Sequence, residues 1–99
     1  MQELQAINDK LSQLTARELR VFDLIGAGRM NKQIAKRFDC SVRTVENIRA
    51  KIYSKLGIST AAQLGVLYGL RKAYDAVEAR YVVFERSKYA EGTATVAEA

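Results

Sequence analysis

Leu14–Leu56 reads LTARELRVFDLIGAGRMNKQIAKRFDCSVRTVENIRAKIYSKL, and its alternation of caps, apolar spacings and breaks decides the fold. Thr15-Ala16-Arg17-Glu18 has the spacing of a capping box, with Leu14 placed as a hydrophobic staple. Leu19, Val21, Phe22 and Ile25 then supply a helical apolar face, and Gly26 and Gly28 end it. Asn31–Phe38 is a second, short helix with Ile34, Ala35 and Phe38 inward; Ala35 is small where two helices would cross closely. Asp39-Cys40 is the turn, and Ser41 caps a third helix over about Val42–Leu56 through the amides near Arg43 or Thr44. Gly57 suits the position just past its end.

Two short helices joined by a tight turn form a helix-turn-helix, whose second helix is built to enter a major groove. In that second helix Val45, Ile52 and Leu56 share one line, with Ile48 beside it. At about 100° per residue the opposite side carries Arg43, Asn47, Ala50 and Ser54, flanked by Glu46 and Lys51. Arg matches guanine O6 and N7, Asn matches adenine N6 and N7, and Glu accepts from cytosine N4. Ala permits close approach or contact with a thymine methyl. Arg43, Glu46, Asn47 and Ala50 are therefore the candidate base contacts, against the plainer reading of an exposed polar face. Lys32, Lys36, Arg49 and Lys51, with the Thr44 hydroxyl, are the candidate phosphate contacts, which position without specifying. Arg49 leans toward the core side, where its stem can snorkel.

Charge supports a polyanionic partner. The 99 residues carry 16 Lys and Arg against 11 Asp and Glu, a net +5. Between Arg29 and Lys55 eight cations face only Asp39 and Glu46, so the excess lies wholly in that segment. A single cysteine, Cys40, precludes an intrachain disulfide and suits a reducing, cytoplasmic setting. With no His, a metal site lacks good ligands; no phosphate-cradling glycine loop or nucleophilic triad is present. An enzyme, a cofactor and a membrane span are not expected.

Outward from the central stretch, Leu4, Ile7, Leu11 and Leu14 make an amphipathic N-terminal helix over 1–13. Ser59 or Thr60 caps a fourth helix, and Thr60-x-x-Gln63 repeats the capping-box spacing. Leu67, Leu70, Tyr74, Val77, Tyr81 and Phe84 then alternate spacings of three and four. This stripe either packs on the N-terminal helix of its own chain or meets a second copy. A homodimer is favoured because one helix-turn-helix makes few base contacts. Gly69 leaves one long helix or two open, and Gly65-x-x-x-Gly69 permits close helix approach. The organisation expected is 1–13, a DNA-binding domain over 14–70, a helical extension over 71–90 and a frayed small polar tail over 91–99.

LTARE at Leu14–Glu18, GRMNKQIA at Gly28–Ala35, SVRTVE at Ser41–Glu46 and KIYSKLGIST at Lys51–Thr60 together resemble the LuxR/GerE-type, or NarL/FixJ-type, helix-turn-helix family. The resemblance implies an all-α fold: a four-helix domain, here with an extra N-terminal helix and an extended C-terminal one. It implies a bacterial, phage or plasmid transcription regulator on double-stranded DNA, with the fourth helix as the dimer contact. With about fourteen residues ahead of the module, a stand-alone member without a receiver domain is expected. Three positions depart from the family. Met30 stands where Ser or Thr usually caps the scaffold helix, so Asn31 is expected to cap one residue later. Glu46 stands where Lys is frequent, and Ile48 where His is. Glu46, which repels phosphate, motivates an alternative: a small interaction protein that engages RNA polymerase or a larger LuxR-type regulator. A sigma-factor region-4-like module shares the turn, but Gly57-Ile58-Ser59-Thr60 fits the LuxR type better.

Overall fold

The computed structural model describes the backbone of residues 2–98 and the side chains of residues 5–79. Its helices are α1 (Gln2–Leu11), α2 (Ala16–Gly26), α3 (Asn31–Arg37), α4 (Val42–Leu56) and α5 (Ala61–Glu98), with no strand among the described residues. The chain is all-α, as the apolar spacings and the absence of proline imply.

Each boundary has a local chemical cause. The Glu18 amide donates to Thr15 Oγ1 at 3.1 Å, and the Thr15 amide donates back to Glu18 Oε1 at 2.9 Å, completing the expected box at the head of α2. At its foot Gly28 adopts φ +90° while the Arg29 amide reaches back to the Leu24 carbonyl at 2.9 Å. The turn between α3 and α4 closes the same way: Cys40 donates to the Ala35 carbonyl at 2.9 Å. There the left-handed residue is Asp39, at φ +53°. A side-chain oxygen that can bond locally makes Asp one of the few L-residues that tolerate this region. Ser41 Oγ then accepts from the Thr44 amide at 3.0 Å and starts α4. The Thr60–Gln63 box starts α5, with Gln63 Oε1 also accepting from the Ser59 amide at 2.7 Å.

One expected cap is corrected. Met30, not Asn31, occupies the cap position of α3, and its thioether makes no capping bond. Gln33 covers half the deficit by accepting from the Met30 amide at 2.8 Å. Asn31 is the first residue of the helix, and its Oδ1 accepts from Arg49 of α4 instead of capping.

The core forms where α2 meets α3, α4 and α5. Val21, Phe22, Val45, Ile52 and Leu56 are wholly buried, and Ile34 and Leu64 nearly so. Ile25, expected inside, is only partly buried. Leu11 and Leu14 join this core, and α1 lies against α5, so the N-terminal helix is part of the fold. Tyr74 Oη donates to Gln5 Oε1 at 3.4 Å, and Leu67 packs on the core, so this part of the heptad-like stripe is engaged within the chain. Leu4, Tyr81 and Phe84 lie outside the residues whose side chains are described.

α5 is one helix. It runs through Gly69 and on through the segment after Glu91, where the small polar residues predict fraying. At about 1.5 Å per residue its 38 residues span about 57 Å, which accounts for the 56 Å long axis of the molecule.

α5 also explains a glycine whose role the sequence hides. A Cβ at Gly26 would fall within the Tyr68 ring, 2.7 Å from the Tyr68 Cβ. Gly26 therefore lets α5 lie against the backbone of α2, where the Phe22 and Tyr68 rings meet tilted, centroids 6.3 Å apart.

Candidate nucleic-acid interface

α4 is held from behind. Val45, Ile48, Ile52 and Leu56 are its buried face, 0–9% exposed. Two polar ties fix its pose against its neighbours. Lys55 Nζ donates to Glu18 Oε1 at 2.7 Å, joining the last turn of α4 to the first turn of α2. The Arg49 guanidinium donates from Nη1 to Asn31 Oδ1 and from Nε to Tyr53 Oη, both at 3.0 Å, joining α4 to the head of α3. Glu18 is 7% exposed. The Lys55 ammonium, and then the Thr15 amide, hold its carboxyl below the usual carboxylate range against the cost of burial.

The opposite side of α4 is open. Arg43, Glu46, Asn47, Ala50, Lys51 and Ser54 are all exposed, on the side that the about 100° repeat assigns them. Among the described residues none of the polar side chains Arg43, Glu46, Asn47 and Lys51 has a hydrogen-bond or ion-pair partner. Their donors and acceptors are free for a ligand. Arg43 and Asn47 are one turn apart, with Ala50 about one turn further, so a concave strip of base edges could meet all three from one direction. Glu46 sits beside them as a lone carboxylate.

Around this strip the other candidates separate. Lys32 and Lys36 are exposed on α3, with Lys51 exposed on α4. Thr44 is half-buried, its hydroxyl 3.0 Å from Ser41 Oγ inside the cap. Arg49 is half-buried, with two of its nitrogens bonded inside the chain. The ties made by Lys55 and Arg49, and the fork of Arg71 Nε and Nη2 onto Asp23 at 2.9 and 3.2 Å, escape sequence reasoning. Their partners lie 37, 18 and 48 positions away, beyond any local period. Asp23 in turn keeps the Arg71 guanidinium firmly protonated. Among the described residues no helix is long and apolar enough to cross a membrane.

The arrangement can present an oriented row of donors, with the Asn47 amide oxygen and the Glu46 carboxylate as acceptors, to a groove, with cations on either side to meet phosphates. Comparison with known proteins agrees with it. Residues 12–68 match the family described as bacterial regulatory proteins, luxR family. Over 62 residues the chain is 40% identical to the transcriptional regulatory protein TdiR of Thauera aromatica, covering 63% of this chain and 27% of that one. Over 71 residues it is 38% identical to the oxygen regulatory protein NreC of Staphylococcus carnosus, covering 72% and 32%. NreC of Staphylococcus aureus strain MRSA252 matches to the same extent. The chain thus spans about a quarter to a third of the length of the curated relatives it matches. No solved structure matches it.

Proposed function

The chain belongs to the luxR family of bacterial regulatory proteins, a family of DNA-binding transcription regulators rather than enzymes, and from that we propose that it binds a specific double-stranded site as a homodimer. α4 enters the major groove. Arg43, Glu46, Asn47 and Ala50 meet base edges, and Lys32, Lys36 and Lys51 meet phosphates. Thr44 adds a contact only where its hydroxyl can serve the cap and a phosphate together. Arg49 contributes to the backbone contact with its remaining nitrogen, while its other two hold α4 at its angle to α3. The protein acts in the cytoplasm, where the DNA is.

The observation that carries this reading is the unpartnered, exposed row on α4 opposite a fully buried one. Dimerisation draws support from α5. Its outward side bears Ala62, Gly65, Val66, Gly69, Leu70, Ala73, Ala76 and Val77 without a single charge. Val66 is 64% exposed. A Cβ added at Gly65 or Gly69 meets nothing within 4 Å, yet each glycine costs a helix about 1 kcal/mol relative to alanine. Among the described residues nothing packs on either glycine; the close approach of a second α5 would give both a role. In this dimer Leu70 and Val77 face the partner, while Leu67 and Tyr74 stay with their own chain.

Selection of bound sites from random duplexes, with light scattering on the same protein, tests the proposal. The expected result is a twofold-symmetric site whose half-sites lie about 10 base pairs or a multiple apart. A pool that shows no enrichment at moderate salt rejects it. Glu46 favours a second reading, because a free carboxylate in the middle of the strip opposes phosphate. In that reading the chain binds DNA weakly and modulates RNA polymerase or a larger LuxR-type regulator. Tight, sequence-selective binding by the isolated chain excludes it.

A further inference from the structure

We infer that the cleft between the end of α2 and the outer side of α3 is a docking site for an acidic, leucine-bearing peptide segment of a protein partner. The cleft has a volume of about 530 Å³ and is lined by Leu24, Arg29, Gln33, Ile34, Lys36 and Arg37. It shares Leu24 and Arg37 with a smaller cleft of about 170 Å³ that also touches Arg20, Asp23 and Phe38. Together they make one groove along the α2–α3 seam.

The groove offers hydrogen-bond donors with almost no acceptors. Arg29, Lys36 and Arg37 are exposed cations with no ion-pair partner among the described residues. Gln33 has its Oε1 occupied by the Met30 amide, so its amide nitrogen is the group left to the cleft. The one carboxylate, Asp23, has both oxygens taken by Arg71. Arg20 lies over the Phe38 ring at 5.1 Å, which adds a cation above an apolar plane. Such a set suits carboxylates, with charge-assisted bonds from two guanidiniums.

Two features favour a peptide over the DNA backbone. The accessible floor is the hydrocarbon of the partly buried Leu24, with Ile34 closed into the core beneath it, which a phosphodiester chain has little apolar surface to cover and a leucine side chain packs against. Apart from Lys36, assigned above to a phosphate, the cleft also lies on the side of α3 turned away from α4. Asn31 marks the side of that helix turned to α4, through its bond to Arg49. Gln33 and Arg37 stand about 160° and 120° around the helix from it, toward α2 and away from the open row on α4. A partner seated here can therefore be held while α4 occupies a groove. The inference stands on this cleft alone and does not require that α4 bind DNA.

The test uses the full chain and a fluorescent synthetic peptide of alternating glutamate and leucine, with an all-glutamate peptide of equal charge beside it. Anisotropy titrations are run on the wild type and on Arg29→Glu/Arg37→Glu. A control, Lys10→Glu/Arg17→Glu, makes the same change in net charge at exposed cations outside the cleft. Circular dichroism verifies that each variant is folded. The expected result is saturable binding of the leucine-bearing peptide, weaker binding of the all-glutamate one, and a loss of about tenfold or more in Arg29→Glu/Arg37→Glu only, about 1.4 kcal/mol. Equal loss in the control shows general attraction to a basic protein and overturns the inference. So does equal binding of the two peptides. A parallel titration with a selected duplex separates the remaining source: if the cleft variant loses DNA affinity and keeps peptide affinity, the cleft is a backbone contact instead. Failure of the wild type to bind any duplex would count against the function proposed for α4 and leave the peptide result standing.

Discussion

α4 and α5 each bury one side in the same core, yet their outward sides differ in kind. α4 turns Arg43, Glu46, Asn47 and Lys51 to solvent, all without partners among the described residues. α5, from Ala62 to Val77, turns out a strip of alanine, glycine, valine and leucine, flanked by exposed Gln63, Lys72 and Asp75, while Arg71 is folded back onto Asp23 and Lys72 lies over Tyr68. A helix surrounded by water on its free side is expected to carry charge there. The α4 pattern keeps charge but in a form suited to base edges and phosphates. The α5 pattern lacks it, as a surface does when a second protein surface covers it. In the function proposed above, one helix meets a polyanion and the other a copy of itself.

The comparison requires that the inner sides support and the outer sides bind. Ile52 is fully buried beneath the α4 strip. Ile52→Ala is expected to lower unfolding free energy by about 2–5 kcal/mol, a large share of a domain's usual total of about 5–15 kcal/mol, in urea titrations followed by circular dichroism. DNA binding should fall with it only as the folded fraction falls. Asn47→Ala should do the reverse. Stability is expected to change by no more than about 0.5 kcal/mol, while affinity for the selected site drops by about 1–3 kcal/mol and tolerance rises at one base position. Lys51→Ala belongs to a third class, lowering affinity evenly across sequences and the salt slope by about 1. If Asn47→Ala weakens all duplexes equally, the strip positions the protein without reading the bases.

These outcomes also mark what the sequence discloses. The α4 strip is legible because its two sides follow a period of about 3.6 residues and both ends have capping residues beside them. Thr15–Glu18 and Thr60–Gln63 are legible for the same reason, being four-residue chemistry. Gly26 is not, because its cause is Tyr68, brought there only by the packing of α5. The Asn31 cap expected one residue after Met30 is not formed, and the Arg49 contact that Asn31 makes instead comes from another helix, out of reach of local spacing. Glu18 was visible as half of a capping box and invisible as the anchor of Lys55.

That anchor makes a prediction in pH. The folded-state pKa of Glu18 is lowered from 4.5, so its contribution is complete above the unfolded value and is lost as pH falls through the folded one. Glu18→Gln keeps an acceptor for Thr15 but loses the charge facing Lys55. It should destabilise by about 1 kcal/mol near neutrality, less than a fully enclosed pair would give, because the Lys55 side chain is 37% exposed and partly screened. The gap between wild type and variant should close as pH falls below about 4.5. A gap that stays constant down to pH 3 would assign the effect to packing instead of ionisation.

The smallest effect separates the two helices most sharply, because its sign is at stake. In a solitary chain Gly65→Ala and Gly69→Ala add a methyl group that touches nothing within 4 Å. Each should stabilise α5 by about 0.5–1 kcal/mol through helix propensity alone. If α5 packs on a second α5 at those glycines, the same methyl groups hold the two backbones apart. The expected outcome is therefore a split between concentrations. Thermal melts of dilute, monomeric protein should show Gly69→Ala more stable than wild type, and light scattering at high concentration should show its dimer weaker. A Gly69→Ala variant that is stabilised at every concentration, with its self-association intact, would mean that the uncharged side of α5 meets no copy there, and the contrast with α4 would lose its second half.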